Sequence, residues 1–314
     1  MQFWAIIIDS VRESLDRKIF WVLVILTLMV GLAMLSVGFE GDQVHFCFGI
    51  WTMESAFYNP LSDLGPSRLA GAVVYGLLAG ILGSIGMVLM IVATAGVFPS
   101  LMAGGSIDSL LSKPIGRPRL FAYKYLATMV FVLLQATIFV GVTFLVMGLR
   151  WGVWRPGYLL SVPLVVLLFS YIYCVSVLVA VKTRSTVAAI LVSIGAWVFF
   201  AMIHNLPLVF DEFPLLKEHR LIYNTVRIVH WIPPKTGDFV YLAARLAGTG
   251  PSVDAFPPFM VQRGWPQDQA SFQLAREIEE RELLKDPVAS IGSSLLFELV
   301  VVAWAMWIFV RRDY

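Results

Sequence analysis

The chain has 314 residues, 59% hydrophobic and 14% charged, with a mean hydropathy of +0.80 and a formal net charge of +2. Soluble globular domains carry about 25% charged residues, so this composition excludes a soluble domain and points to an all-α integral membrane protein. The two cysteines, Cys47 and Cys174, form no CxxC or Cys/His spacing, so neither a disulfide framework nor a zinc site is expected.

In chain order, the first element is residues 1–18, "MQFWAIIIDSVRESLDRK". Phe3, Trp4, Ile7, Ile8, Val11 and Leu15 recur at three- and four-residue spacing, opposite Asp9, Arg12, Glu13, Asp16 and Arg17. That pattern predicts an amphipathic helix lying in the membrane interface. A membrane-crossing helix needs about 20 mostly apolar residues, and six stretches qualify: 19–39, 70–98, 125–149, 158–181, 186–203 and 288–310. The first is too long for a signal-peptide core of about 7–15 residues and is expected to remain as an anchor. The loop after it holds "HFC", His45 to Cys47, with Met53 nearby. Loop packing is the simpler reading there, and a soft-metal site the alternative.

The second stretch is rich in glycine, and Gly76 and Gly80 form a GxxxG pair expected to serve helix packing. The polar segment 99–124 then separates it from the third stretch. Within this segment Gly104 and Gly105 loosen the chain and Ser106 can cap a short helix. Ile107, Leu110 and Leu111 share one face of that helix, with Asp108, Ser109 and Ser112 on the other. Pro114 ends it, and Arg117, Arg119 and Lys124 follow at the membrane surface, where they also suit anionic headgroups.

Gln135 in the third stretch is a lone polar residue with a structural role, and Pro163 in the fourth is expected to kink its helix. Between the fifth and sixth stretches lies a long region, 204–287, with prolines throughout and amphipathic pieces at Phe239–Leu246 and Phe272–Asp286. The sixth stretch contains Glu298, the one Asp, Glu, Lys or Arg within the six. An ionisable residue at membrane depth is a functional candidate. Two readings stay open for it: a polar transport pathway, or hydrogen-bonded glue between helices, with Ser293 or Ser294 one turn back as partners.

Orientation follows from the cations in short loops. One side carries eleven: Arg12, Arg17, Lys18, Lys113, Arg117, Arg119, Lys124, Lys182, Arg184, Arg311 and Arg312. The short loops opposite carry three, Arg68, Arg150 and Arg155. Six spans with this bias predict both termini in the cytoplasm, the 104–125 segment beside them, and 204–287 outside the cell. The chain has no GxxxxGK[ST] phosphate loop, no HExxH and no GxSxG, so neither ATP hydrolysis nor protease or hydrolase chemistry is expected of it.

The segment "GSIDSLLSKPIGRPRLFAYKY" resembles the pattern of the membrane subunits of ABC-2 type transporters: a Gly-Thr/Ser, an "LLS-x-P-I-x-R" core and a following Lys. Gly105, Ser106, Leu110, Leu111, Ser112, Pro114, Ile115, Arg117 and Lys124 match it. "RESLDRKIFWVL", "KTRSTVAAI" and "FVRRDY" are similar to other parts of the same family. Where many members carry an acidic residue just before the Gly-Thr/Ser, this chain has "SLMAGG".

The resemblance implies a permease subunit of an ABC exporter in the plasma membrane, working as one of a pair of permease copies or homologues. A separate ATP-binding subunit would hold ATP and Mg, so this chain carries no cofactor and no metal. Residues Ser106, Ile107, Asp108, Leu110, Leu111, Ser112, Pro114 and Arg117 would then couple to that ATPase. No nucleic-acid partner is expected. The alternative from another class is a membrane-anchored assembly or scaffold protein of a cell-envelope complex.

Overall fold

In the computed structural model, residues 18–40, 43–54, 71, 73–74, 76–102, 116–212, 233–248 and 286–312 are described, and among them six helices are long and apolar enough to cross a membrane. They are α1 (Lys18–Leu35), α2 (Leu77–Leu101), α3 (Arg117–Trp151), α4 (Ser161–Thr183, led in by a 3-10 turn at Pro156–Leu160), α5 (Thr186–Glu212) and α7 (Pro287–Arg311). A shorter helix, α6 (Asp238–Leu246), precedes α7. The all-α membrane class read from the sequence is therefore the observed one. The interfacial helix expected at 1–18 lies outside the described residues, apart from Lys18.

Local chemistry sets the helix ends. Pro118 opens α3, where a missing N–H is harmless. Gly152 closes α3 in the left-handed region at φ 67°, its N–H returning to the Met147 carbonyl. Arg184 caps α4 the same way at φ 55°, with its N–H on Ala180. Asp286 caps α7 by accepting from the Val288 N–H at 3.0 Å, with Pro287 in the first turn. Pro163 falls in the first turn of α4, where its missing N–H costs no hydrogen bond within that helix.

The first span stops at Leu35, short of the expected Phe39, because Gly38–Glu40 leave the helix to form a strand. It pairs antiparallel with Gln43–Phe46, which pairs in turn with Trp51–Glu54, a small sheet the sequence reading had treated as loop. The Trp151 indole donates to the Val37 carbonyl at 3.2 Å and so ties this end of α1 to the end of α3. The second span begins as a ten-residue π-helix, Leu77–Gly86, and continues as α-helix from Met87. The Ser84 hydroxyl follows the wider coil, donating to the Ala79 carbonyl five residues back.

Helix α4 is the centre of the bundle, packed by α7, α5, α3, α2 and α6. Of its most apolar window 67% is buried, against 22% for those of α5 and α7. In an apolar medium every polar group must be met inside the protein. Thr27, Thr94, Thr128, Thr143 and Ser193 accordingly donate to carbonyls four residues back. The outward faces of α1, α5 and α7 present large apolar side chains, among them Trp21, Leu28, Leu191, Phe199, Leu299 and Trp304. Such faces suit lipid or another membrane subunit.

Candidate functional site

The polar centre of the membrane-spanning bundle is built on Glu298, midway along α7. Its Oε1 accepts from the Tyr125 hydroxyl of α3 at 2.8 Å, and its Oε2 accepts from the Ser170 hydroxyl of α4 at 2.8 Å. The partners anticipated on its own helix are otherwise engaged, since Ser293 and Ser294 both donate to the Ser290 carbonyl. One carboxylate thus ties three helices together. Tyr125 is steered by its neighbours: its ring lies 5.5 Å from that of Tyr173, which stacks on Phe169 at 5.1 Å. The Tyr173 hydroxyl is 3.1 Å from Thr128 Oγ1.

Hydrogen counting shows what this cluster can do. Ser170 Oγ lies 2.8 Å from Glu298 Oε2 and 2.8 Å from the Leu167 carbonyl, two acceptors for one proton. With an ionised carboxylate, Ser170 shares its proton between them. With a neutral carboxyl, Glu298 donates to Ser170 and Ser170 donates wholly to Leu167, so every group keeps a partner. The arrangement accommodates either protonation state without moving a helix.

A second polar group sits toward the Arg155 end of the bundle. Asp238, buried at the start of α6, accepts from the Ser290 hydroxyl of α7, and its other oxygen lies 3.6 Å from His204 Nε2 of α5. The Lys235 backbone N–H donates to Ser294 Oγ at 3.0 Å. Lys235, Asp238, Ser290, Ser294 and Tyr171 line a pocket of about 320 Å³. Ser290, Ser294 and Glu298 fall at four-residue intervals on one stripe of α7, so the pocket opens along the same helix face that carries the carboxylate.

The opposite end is closed by arginines. Arg117 at the start of α3 donates to the carbonyls of Arg312 at 2.8 Å and Val310 at 3.3 Å, at the end of α7. Arg312 donates onward to the carbonyls of Val181 and Lys182, at the end of α4. Cations at helix C-termini meet orphan carbonyls and the negative end of the macrodipole. Below them Phe98, Phe121 and Phe309 pack together, with centroids 5.0–6.5 Å apart.

Residues 4–314 match the family described as ABC-2 family transporter protein. The chain belongs to that family. It is a multi-pass membrane permease of the ABC transporter type, a transport subunit rather than a catalyst. No curated protein matches the chain. Of the residues singled out in the permease sequence, Glu298 and Arg117 fall in the arrangements above. Ser106, Ile107, Asp108, Leu110, Leu111, Ser112 and Pro114 lie outside the described residues.

Gly76 and Gly80 meet no described residue within 4 Å of where a Cβ would stand, so no described helix packs closely on them. Of the soft-metal candidates, His45 pairs with Thr52 across the small sheet and Cys47 is exposed. Among the described residues no three His, Cys, Asp or Glu side chains converge to hold a metal ion.

The sequence reading missed Tyr125 and Ser170, which are 173 and 128 residues from Glu298. It also missed Asp238, His204 and Ser290. One usable signal was present: a lone carboxylate in a span calls for donors on neighbouring spans at similar depth, and Ser170 lies midway along the fourth stretch.

Proposed function

We propose that the protein is the membrane-spanning subunit of an ATP-driven exporter in the plasma membrane, with both termini in the cytoplasm. A separate ATP-binding subunit docks on residues 104–125, and a second permease copy or homologue completes the path. The family match over residues 4–314 carries this reading. It is supported by the absence of a phosphate loop in the sequence and by the bias of eleven cations to three that orients the chain.

The docking face is Ile107, Leu110 and Leu111 on a short helix at Ser106–Ser112, stopped by Pro114. From there the chain runs directly into Arg117, which holds the carbonyls that end α7. Movement of the docking helix, driven by nucleotide closing the ATPase, is thus passed to the helix that carries Glu298. Glu298 with Tyr125 and Ser170 forms the polar element of the translocation path, and Gly76 and Gly80 suit close packing against the second copy. A bundle with two discrete arrangements would turn that movement into alternating access.

The test is co-purification of the full-length permease with the phosphate-loop ATPase co-expressed with it, using Leu110→Asp. The variant is expected to insert into the membrane at wild-type yield and to lose the ATPase. Recovery of the complex at wild-type yield would overturn the docking assignment. ATP turnover that the permease leaves unchanged after reconstitution would favour a scaffold over a transporter.

A further inference from the structure

A pocket of about 460 Å³ lies between α1, α2 and α3, separate from the Glu298 cluster. Its lining is aliphatic and aromatic, including Leu23, Leu26, Ile81, Ile85 and Phe139, with two polar exceptions, Thr27 and Gln135. Thr27 spends its proton on the Leu23 carbonyl at 2.9 Å. Gln135 does not balance: it is only 6% exposed, and its Oε1 is buried with no hydrogen-bond partner among the described residues. Buried polar atoms are nearly always partnered, and an orphan acceptor calls for an explanation.

Depth sharpens the question. Gln135 sits midway along the 35 residues of α3, and Thr27 midway along α1. At that level an unsatisfied amide is costly, because neither lipid tails nor bulk water supply a donor. One wall is the π-helical part of α2, which contributes Ile81, Leu82, Ile85 and Gly86. Segments of π-helix are rare and concentrate at functional sites. Leu26 and Ile85, at the rim, are 39% and 58% exposed, so the pocket opens on the outer face of the bundle.

We infer that this pocket binds a hydrophobic, uncharged molecule carrying a single hydrogen-bond donor such as a hydroxyl, which reaches it sideways from the membrane and donates to Gln135. The aliphatic lining selects an apolar body. The missing donor selects the polar group. No Asp, Glu, Lys or Arg is among the described lining residues, so an uncharged ligand suits this depth.

The experiment uses the full-length protein in phosphatidylcholine nanodiscs and two photoreactive probes: a ten-carbon alcohol with a chain diazirine, and the matching alkane without the hydroxyl. Labelled peptides are mapped by mass spectrometry. The alcohol is expected to label the segments holding Leu26, Ile85 and Gln135 saturably, at about tenfold lower concentration than the alkane, the effect of one ordinary hydrogen bond. Gln135→Leu should erase that difference, and Ile85→Trp, which fills the rim without touching the core, should lower labelling by both probes. Equal labelling of the wild type by alcohol and alkane would show a slot for bilayer acyl chains and overturn the proposal. An alcohol preference that survives in Gln135→Leu would overturn the role of Gln135.

Discussion

At Glu298 each carboxylate oxygen has its own donor, Tyr125 on α3 and Ser170 on α4. Glu298→Gln preserves shape and keeps an acceptor for Tyr125. Its amide can donate to Ser170 Oγ while Ser170 gives its proton to Leu167, so the helices stay tied. Only the charge and the capacity to take a proton are lost. The expected outcome is normal assembly with the ATPase and a thermal midpoint near wild type, with transport reduced about tenfold or more, the scale of one charge-assisted hydrogen bond. Reconstituted transport and midpoint measurements on the same preparation check this. Wild-type transport in the variant would assign Glu298 to helix packing alone.

At the scale of elements, α6 is held against the turn that leads into α4. Gly157 lies so close to the end of α6 that a Cβ there would collide with the Leu246 carbonyl, and Arg155 donates to the Gly248 carbonyl at 2.7 Å. Gly157→Ala is expected to destabilise the protein by about 2 kcal/mol through overpacking, read as a lowered midpoint of thermal unfolding in detergent. An unchanged midpoint would mean that α6 can leave this turn at no cost. The amphipathic piece at Phe239–Leu246 was legible as a helix, but nothing local showed that it would pack on α2 and α4 rather than lie on the membrane surface. The spans were legible because each needs a long apolar run. Their ends were less so: Gly38 and Phe39 continue the apolar stretch yet turn into a strand once Gln43–Phe46 is there to pair with. The π-helix left no sequence mark beyond its glycines. The Glu298 site was half legible. Its carboxylate stands out in any apolar run, whereas its donors are ordinary tyrosine and serine residues that only the packing of α3 and α4 against α7 brings within reach.

For the molecule as a whole, the arginine closure connects three helix ends through two side chains. Arg117 reads the position of α7, and Arg312 carries it to α4, the most buried helix of the bundle. Arg312→Ala leaves the Val181 and Lys182 carbonyls without these donors and keeps the proposed docking residues Ile107, Leu110 and Leu111 unchanged. The ATPase subunit is therefore expected to bind as in wild type, while the amount transported per ATP hydrolysed falls several-fold. Measuring both quantities in the same vesicles separates the possibilities: loss of the ATPase itself would make Arg312 part of the docking surface.

The position of α7 also bears on how the protein is made. It follows α3, α4 and α5 in chain order, yet it supplies the carboxylate that joins α3 to α4. At about 5–20 residues per second, translation of the stretch after Thr183 leaves roughly ten seconds before α7 reaches the membrane. Throughout that interval the hydroxyls of Tyr125 and Ser170 lack the carboxylate that later accepts from both. A chain stalled before Pro287 therefore lacks the carboxylate that ties α3 to α4 within the bilayer.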